Sequence, residues 1–375
     1  MLRVCLVCGG QSPEHEVSLR SAFSVFRAFP RDEYALEVVG ITRDGVWKYY
    51  GDRDFLRNGE DSRLVTLADD GLNCLLCRND GQTGLRIFAD GRFIPCDIAF
   101  AMLHGANGED GTIQGLFQLN GLPCVGCDTA ASAVCMDKEL TKIVLEHHGI
   151  RTAPWLTLRS PDELREADVI AKLGLPLFVK PARTGSSVGI SKAKSAVDLR
   201  RAVAEAFEYD DKVLIEKNMS GREIECAVLD DGDALFCASP GEIIPHDEFY
   251  SYAAKYLLDD GASLEVPAKL DDDVRAVGQE LAKRAFRALG CQVFSRIDFF
   301  LLPDGTWILN EVNTIPGFTR ISLYPQLMAC SGIGYQELLR RMLKGTFSHF
   351  SRHAALRTDA ADFLSLKPDT QESPA

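Results

Sequence analysis

Ser295-Arg-Ile-Asp-Phe-Phe-Leu-Leu-Pro-Asp-Gly-Thr-Trp-Ile-Leu-Asn-Glu-Val-Asn313 places two β-type runs on either side of Asp304-Gly305, the pair preferred in a two-residue type I′ hairpin turn. If that pair is the turn, Pro303 faces Thr306, and counting outward sets Asp298 opposite Glu311 and Arg296 opposite Asn313. The two-residue period of a strand keeps all four on one face. Two facing carboxylates repel, so the pair is costly unless a cation sits between them, and an Asp, Glu and Asn oxygen set suits Mg²⁺. A hairpin whose charges are simply solvated is the bland alternative, and the rest of the chain has to decide.

Phe178-Val-Lys-Pro-Ala-Arg-Thr-Gly-Ser-Ser-Val-Gly189 bears on that choice. It runs from an apolar strand into a small-residue loop, where Gly185, Ser186, Ser187 and Gly189 let backbone amides approach an anion closely and Lys180 adds a point charge. This reads as a phosphate cradle, although its spacing matches neither the P-loop nor the dinucleotide fingerprint. Gly9-Gly10-Gln-Ser resembles a dinucleotide turn only superficially, since the later glycines are missing, and NAD binding is rejected.

Composition narrows the classes further. A chain of 375 residues exceeds what one core usually organises, so two or three subdomains are expected. The formal net charge of −13 disfavours a broad nucleic-acid surface, which needs clustered Lys and Arg. No apolar run approaches the roughly 18 to 20 residues needed to span a bilayer, and Leu2–Cys8 carries no cleavage-site pattern, so no membrane partner and a cytoplasmic location are expected. The twelve cysteines include the pairs Cys5/Cys8, Cys74/Cys77 and Cys124/Cys127. Each lies in or beside a β-like run, where residues three apart point to opposite faces, so buried reduced thiols are favoured over a metal site.

Strands alternate with amphipathic helices through the first half, the signature of α/β layering around a largely parallel sheet. Leu2–Cys8 reads as a buried strand, Leu19, Ala22, Phe23, Phe26 and Phe29 as a helical stripe, and Ala35–Ile41 and Ile98–Leu103 as further strands. Helices are expected near Thr112–Leu119, over Ser132–His147 and from Val197 to Phe207, with another opened by Asp271–Asp273. Residues 51–95 look like an insertion punctuated by Asn79-Asp80-Gly81 and Asp90-Gly91. The resulting division is an α/β unit at 1–128, a central unit at 129–212, a third unit at 213–350 and a polar tail at 351–375.

Taken in order, the motifs Gly9-Gly10-x-Ser12-x-Glu14-x-Glu16-Val17-Ser18, His104-Gly-x-x-Gly-Glu-Asp-Gly111, Met136-Asp137-Lys138, Lys180-Pro181 with Gly185-Ser-Ser-Val-Gly189, Leu214-Ile-Glu-Lys217, Lys255-Tyr256, Arg296-Ile-Asp298, and Glu311-Val-Asn313 with Pro316-Gly317 make the chain similar to the D-alanine:D-alanine ligase family of the ATP-grasp superfamily, through about residue 345. The departures are the insertion after Gly51, the tail, and Ile315 where Ser or Thr is common. The resemblance implies a three-subdomain ATP-grasp architecture, in which an N-terminal parallel α/β domain is joined by two α+β units that sandwich ATP. It also implies an activity: a D-alanine carboxylate attacks the γ-phosphate, and the amine of a second D-alanine then attacks the acylphosphate, giving D-alanyl-D-alanine for peptidoglycan precursors.

The same resemblance implies residue roles. Asp298, Glu311 and Asn313 would hold two Mg²⁺ ions, with Mn²⁺ as the alternative, and Lys138 and Lys180 would contact ATP phosphates. Glu216, Lys217 and Glu223 would lie at the adenine and ribose end, Glu14 would receive the first ammonium, and His104 would also bind substrate. Arg296 and the Gly317 amide would stabilise the tetrahedral oxyanion, and Lys255 and Ser322 would hold the second carboxylate. Tyr256, neutral at physiological pH and paired in the family with the counterpart of Ser186, would favour an amine over a hydroxy acid as the second substrate. The polar and aromatic stretch after Tyr250 is expected to act as a lid. Three rivals remain. A D-lactate- or D-serine-using ligase and another ATP-grasp carboxylate–amine ligase share the class; a non-catalytic nucleotide-binding regulator does not, and it would be expected to lack part of the carboxylate set or a lysine. The oligomeric state is open, a homodimer being one option.

Overall fold

A computed structural model describes residues 1–59, 61, 64–245 and 262–356. The N-terminal sheet is built around β1 (Leu2–Gly9), which pairs in parallel with β2 (Tyr34–Ile41) on one side and with a strand at Ile98–Met102 on the other. Between them in sequence come β3 (Trp47–Gly51), a small ladder of β4 (Leu56–Arg57) and β5 (Thr66–Leu67), then β6 (Leu72–Asn79), β7 (Gln82–Ile87) and β8 (Phe93–Pro95); Ile98–Met102 is β9. The strand order β8-β7-β6-β3-β2-β1-β9 is therefore parallel only across β2-β1-β9. The expected insertion extends the sheet with antiparallel strands, because short turns such as Asp80-Gly81, both at positive φ, can reverse a chain but cannot supply a parallel crossover.

Helix α1 (His15–Ala28) buries Leu19, Ala22 and Val25 against this sheet, and α2 (Thr112–Leu119) covers the other side. Cys5 belongs to the core on one face of β1 and Cys8 to the core on the opposite face, as a three-residue offset requires. The helix expected over Ser132–His147 is two helices, α3 (Thr129–Met136) and α4 (Lys138–His147). Asp137 is extended between them, its side chain accepts from the Glu139 and Leu140 amides, and Lys212 pairs with it. A residue that caps a new helix start ends the previous one.

The central sheet, order β10-β13-β11-β12, consists of β10 (Trp155–Leu158), β11 (Leu177–Pro181), β12 (Ser191–Ala193) and β13 (Val213–Lys217). It is covered by α5 (Glu166–Leu173) and α6 (Ala196–Ala206) around a core confined to residues 158–215. The third sheet holds β14 (Arg222–Asp230), β15 (Leu235–Cys237), β16 (Gly241–Pro245), β17 (Ala262–Glu265), β18 (Phe294–Leu301) and β19 (Trp307–Asn313) in the order β17-β16-β14-β18-β19, with β15 against β14. Helix α7 (Asp272–Ala288) opens at Asp271 as expected and packs on this sheet.

The β18–β19 hairpin departs from its expected form in two places that cancel. Its turn has three residues, Pro303-Asp304-Gly305: the Gly305 amide donates to Leu302 O, the Leu302 amide donates to Thr306 O, and Gly305 has φ +82°. This is a type I turn closed by a left-handed residue rather than a type I′ pair. It sets Leu301 opposite Trp307 and Phe299 opposite Leu309, one step off the expected register. A bulge at Asn310 then restores the count, so Asp298 faces Glu311 and Arg296 faces Asn313 after all.

Helices α8 (Leu323–Cys330) and α9 (Tyr335–Ala354) close the chain, α9 carrying helical structure past Ser351, where an aperiodic tail was expected. Phe318 stacks on Tyr324, meets Phe294 and Phe100 edge to face, and Tyr324 meets Phe294 in the same way; this cluster joins the N-terminal sheet and α1 to α8 and α9 in one core. Among the described residues no helix is long and apolar enough to cross a membrane.

Candidate active site between two antiparallel sheets

The central and third sheets face each other across a cleft that opens to solvent. Phe178 and Lys180 of β11 and Glu216 and Lys217 of β13 line one wall. Glu223 and Glu225 of β14, Arg296, Asp298 and Phe300 of β18, and Asn310 and Glu311 of β19 line the other. The bulge turns two successive side chains, Asn310 and Glu311, into this space, while Trp307, Leu309 and Val312 go to the core behind.

At one end Arg296 holds Asp298 through two contacts of 2.8 Å and Glu225 through a third of 2.8 Å. The Asn313 side-chain Nδ2 donates to Asp298 Oδ2 at 2.8 Å. Burial works against the guanidinium, but Asp298 and Glu225 outweigh it and hold Arg296 charged well above the ordinary arginine range. Three carboxylates, Glu225, Asp298 and Glu311, thus surround one arginine; their oxygen donors are of the kind a hard divalent cation takes, but with Arg296 among them no three Asp, Glu, His or Cys side chains of the described residues are grouped to hold a metal ion.

At the other end Lys180 Nζ sits 2.8 Å from Glu216 Oε2 and 3.4 Å from Asn310 Oδ1. Burial would raise the Glu216 carboxyl, yet Lys142 and Lys180 prevail and hold it down at about 2. Lys138, at the start of α4, donates through Nζ to Thr184 O at 2.6 Å, and its backbone amide donates to Ala182 O, so both its groups tie it to the loop after β11. Burial lowers the Lys138 ammonium, an effect that Glu311 opposes.

The loop expected to bring the amides of Gly185, Ser186, Ser187 and Gly189 close to an anion bends left-handed at Gly189 (φ +70°) and, without a glycine's freedom, at Ser186 (φ +49°) and Ser187 (φ +60°). At each serine this is an uncommon conformation for a residue with a Cβ, costing about 1 kcal/mol. Gly185 leaves room for a different neighbour: a Cβ there would stand a tight 3.1 Å from Glu14 Oε2, which would have to give by a few tenths of an ångström. Ser186 donates its hydroxyl to Glu14 Oε1, so the central unit closes directly onto the N-terminal one.

His104 commits both ring nitrogens to the protein. Nδ1 lies 3.0 Å from Ile315 O and Nε2 2.9 Å from Ser21 Oγ, and the Phe318 amide donates to the same Ser21 hydroxyl. Burial lowers its imidazole from the ordinary histidine value. Its place is behind the Ile315–Phe318 loop, which carries Gly317, and Ser322 lies beside that glycine, holding the Thr319 amide and hydroxyl. Lys255 and Tyr256, and the stretch expected to form a lid, fall within 246–261, outside the described residues.

Several residues lining or backing the site went unassigned in the sequence. Glu225 carried a signal, since it is two positions after Glu223 on β14 and shares its face. Lys142 is four after Lys138 and shares its helical face. Glu109, inside the motif that opens at His104, accepts from the amides of Gly105 and Ile315, and burial, reinforced by Glu14, raises its carboxyl to about 8.

Two antiparallel sheets closing on a cleft, with lysines on one wall and a carboxylate–asparagine hairpin on the other, define a ligase of the ATP-grasp class. Residues 3–127 match the model of the D-ala D-ala ligase N-terminus and residues 144–344 that of the C-terminus. The chain belongs to the D-alanine–D-alanine ligase family. It is 45% identical to a D-alanine–D-alanine ligase of Sodalis glossinidius over 348 residues, covering 91% of this chain and 94% of the relative. Among solved structures it is similar to the D-alanine–D-alanine ligase of Coxiella burnetii, with TM-score 0.84, 33% identity and coverage of 97% and 99% of the two chains. It is also similar to the VanG D-Ala:D-Ser ligase of Enterococcus faecalis, with TM-score 0.81, 36% identity and coverage of 92% and 99%.

Proposed function

We propose that this protein joins two D-alanine molecules into D-alanyl-D-alanine at the expense of ATP, supplying a peptidoglycan precursor in the cytoplasm. The observation that carries the reading is the face of the β18–β19 hairpin, where Arg296, Asp298, Glu311 and Asn313 converge at one end of a cleft whose other wall holds Lys180 and Glu216. In the first step a carboxylate oxygen of D-alanine forms a bond to the γ-phosphorus and ADP leaves. In the second, the amine of the other D-alanine bonds to the acyl carbon, inorganic phosphate leaves, and the nitrogen gives up a proton.

Asp298, Glu311 and Asn313 are the residues that would hold Mg²⁺, or Mn²⁺ in its place, and two bound ions would neutralise charge on the phosphates. Lys138 and Lys180 bind phosphate oxygens, and Glu216, Lys217 and Glu223 take the base and ribose. Glu14, buried and already accepting from Ser186, receives the first ammonium. Arg296 and the Gly317 amide face the developing oxyanion, and His104 acts by holding the Gly317 loop in place. Ser322 and Lys255 take the second carboxylate, and Tyr256 with Ser186 favours an amine there.

The test is ADP release and product chromatography with D-alanine, L-alanine, D-serine and mixed D-alanine and D-lactate. D-Alanyl-D-alanine should dominate at neutral pH. The similarity to a D-Ala:D-Ser ligase makes D-serine the second reading, and a dominant D-alanyl-D-serine product would select it; abundant depsipeptide would sink both.

A further inference from the structure

Lys142 takes no part in the reaction outlined above, yet its side chain is only 2% exposed. Its Nζ stands 3.2 Å from Glu216 Oε1, while Lys180 Nζ holds the other oxygen at 2.8 Å, so each oxygen of a carboxylate that is 4% exposed has its own cation. The two lysines are not equivalent. Lys180 is 12% exposed, lines the cleft and also reaches Asn310; Lys142 is absent from the lining and comes from α4, behind Glu216.

A buried carboxylate that loses its cation takes up a proton, because the ionised form can no longer be sustained away from water. If Lys180 swings to a phosphate, Glu216 needs a second cation that cannot follow. We propose that Lys142 is a positioning residue, the fixed counter-ion of Glu216, which frees Lys180 to exchange that carboxylate for a nucleotide phosphate. The inference rests on the reading of Lys180 as a phosphate contact.

The charged groups in this field are few. Lys142 on α4 and Lys180 on β11 face Glu216 directly. Burial lowers the Lys142 ammonium, with Lys180 adding to this, while Glu216 and, more weakly, Glu146 one turn further along α4 oppose it; Glu146 also bonds Thr152 and Trp155, and Lys138 also feels Glu216. With Lys142 present, Glu216 stays ionised on both sides of nucleotide binding. In Lys142→Met the departure of Lys180 leaves Glu216 with the neutral base but no cation, so binding must draw in a proton, and affinity relative to wild type improves as pH falls.

The experiment is calorimetric titration of the full chain with Mg²⁺ and the β,γ-imido analogue of ATP, near neutral pH, in buffers of different ionisation enthalpy. Lys142→Met should take up close to one proton more than wild type, with its relative affinity rising by up to about tenfold per pH unit lowered. Lys142→Arg should restore the wild-type count. A folded Lys142→Met with the wild-type proton count and pH profile overturns the proposal. Lys180→Met separates the two readings: unchanged affinity there removes the phosphate contact itself, whereas weakened affinity beside a wild-type-like Lys142→Met removes only the role of Lys142. Carboxyl ¹³C NMR of Glu216 in the wild-type complex probes the same charge state without any variant at position 142. An ionised Glu216 is expected, and a protonated one overturns the proposal.

Discussion

Ser186, in the loop after β11, donates its hydroxyl to Glu14, at the start of α1, so two residues 172 positions apart in sequence meet at the point where the central and N-terminal units touch. Neighbours that share a hydrogen bond should be energetically coupled. Glu14→Gln is expected to lower kcat/KM for D-alanine by about 100-fold, from loss of the ammonium partner, and Ser186→Ala by about tenfold. The double variant should lose less than the product of the two. Steady-state kinetics in a double-mutant cycle measure this, and strictly multiplicative losses would show that the contact is idle in turnover.

Glu311→Gln keeps the shape of the side chain and removes one of three carboxylates around Arg296. Turnover should fall at least about 100-fold, and the Mg²⁺ concentration giving half-maximal rate should rise. Near-normal turnover with an unchanged Mg²⁺ titration would place the cation elsewhere.

Deleting Asn310 should leave the hairpin paired. The three-residue turn already sets the register one step short, so removing the bulged residue still brings Asp298 opposite Glu311. A stability loss below about 2 kcal/mol is expected, with a several-fold rise in KM for ATP because Lys180 loses its Asn310 contact. Thermal melting and ATP titration check the two halves separately; a deletion that unfolds the protein contradicts the register argument.

Glu109 predicts a pH dependence. Burial, then Glu14, lifts its carboxyl from about 4.5 to about 8, so the folded state binds the proton more tightly than the unfolded one. Its contribution to stability is therefore complete below about pH 4.5 and is lost as pH rises through about 8. In Glu109→Gln that loss is absent. The melting temperature of the variant minus that of wild type, followed without metal from pH 5 to 9, should climb by several degrees. A flat difference would mean that Glu109 is already ionised at neutral pH.

The pairing of Asp298 with Glu311 was legible in the sequence, but the path to it was not. Asp304-Gly305 suggested a two-residue turn, and nothing in that dipeptide excludes Pro303 from joining it. The bulge did leave a trace: core residues Trp307, Leu309 and Val312 are spaced two and then three apart, which a regular strand cannot bury on one face. Asp137 was similarly readable as a cap, though α3 and α4 together mimic one apolar helix. By contrast, the contacts of His104 with Ser21 and Ile315, and of Lys142 with Glu216, join residues far apart in the chain, which no local pattern encodes.

The core enclosed by β10, β11, β13, α5 and α6 draws only on residues 158–215, whereas the cluster holding Phe100, Phe294 and Phe318 is stitched from both ends of the chain. Heating should therefore not dissolve this molecule in one event. The central unit can melt while the larger body keeps its packing, and a single transition temperature would average two cooperative blocks. Amide exchange resolved by segment would find a lower ceiling of protection in β11 and β13 than in β1, and a nucleotide spanning the cleft would raise that ceiling toward the common value.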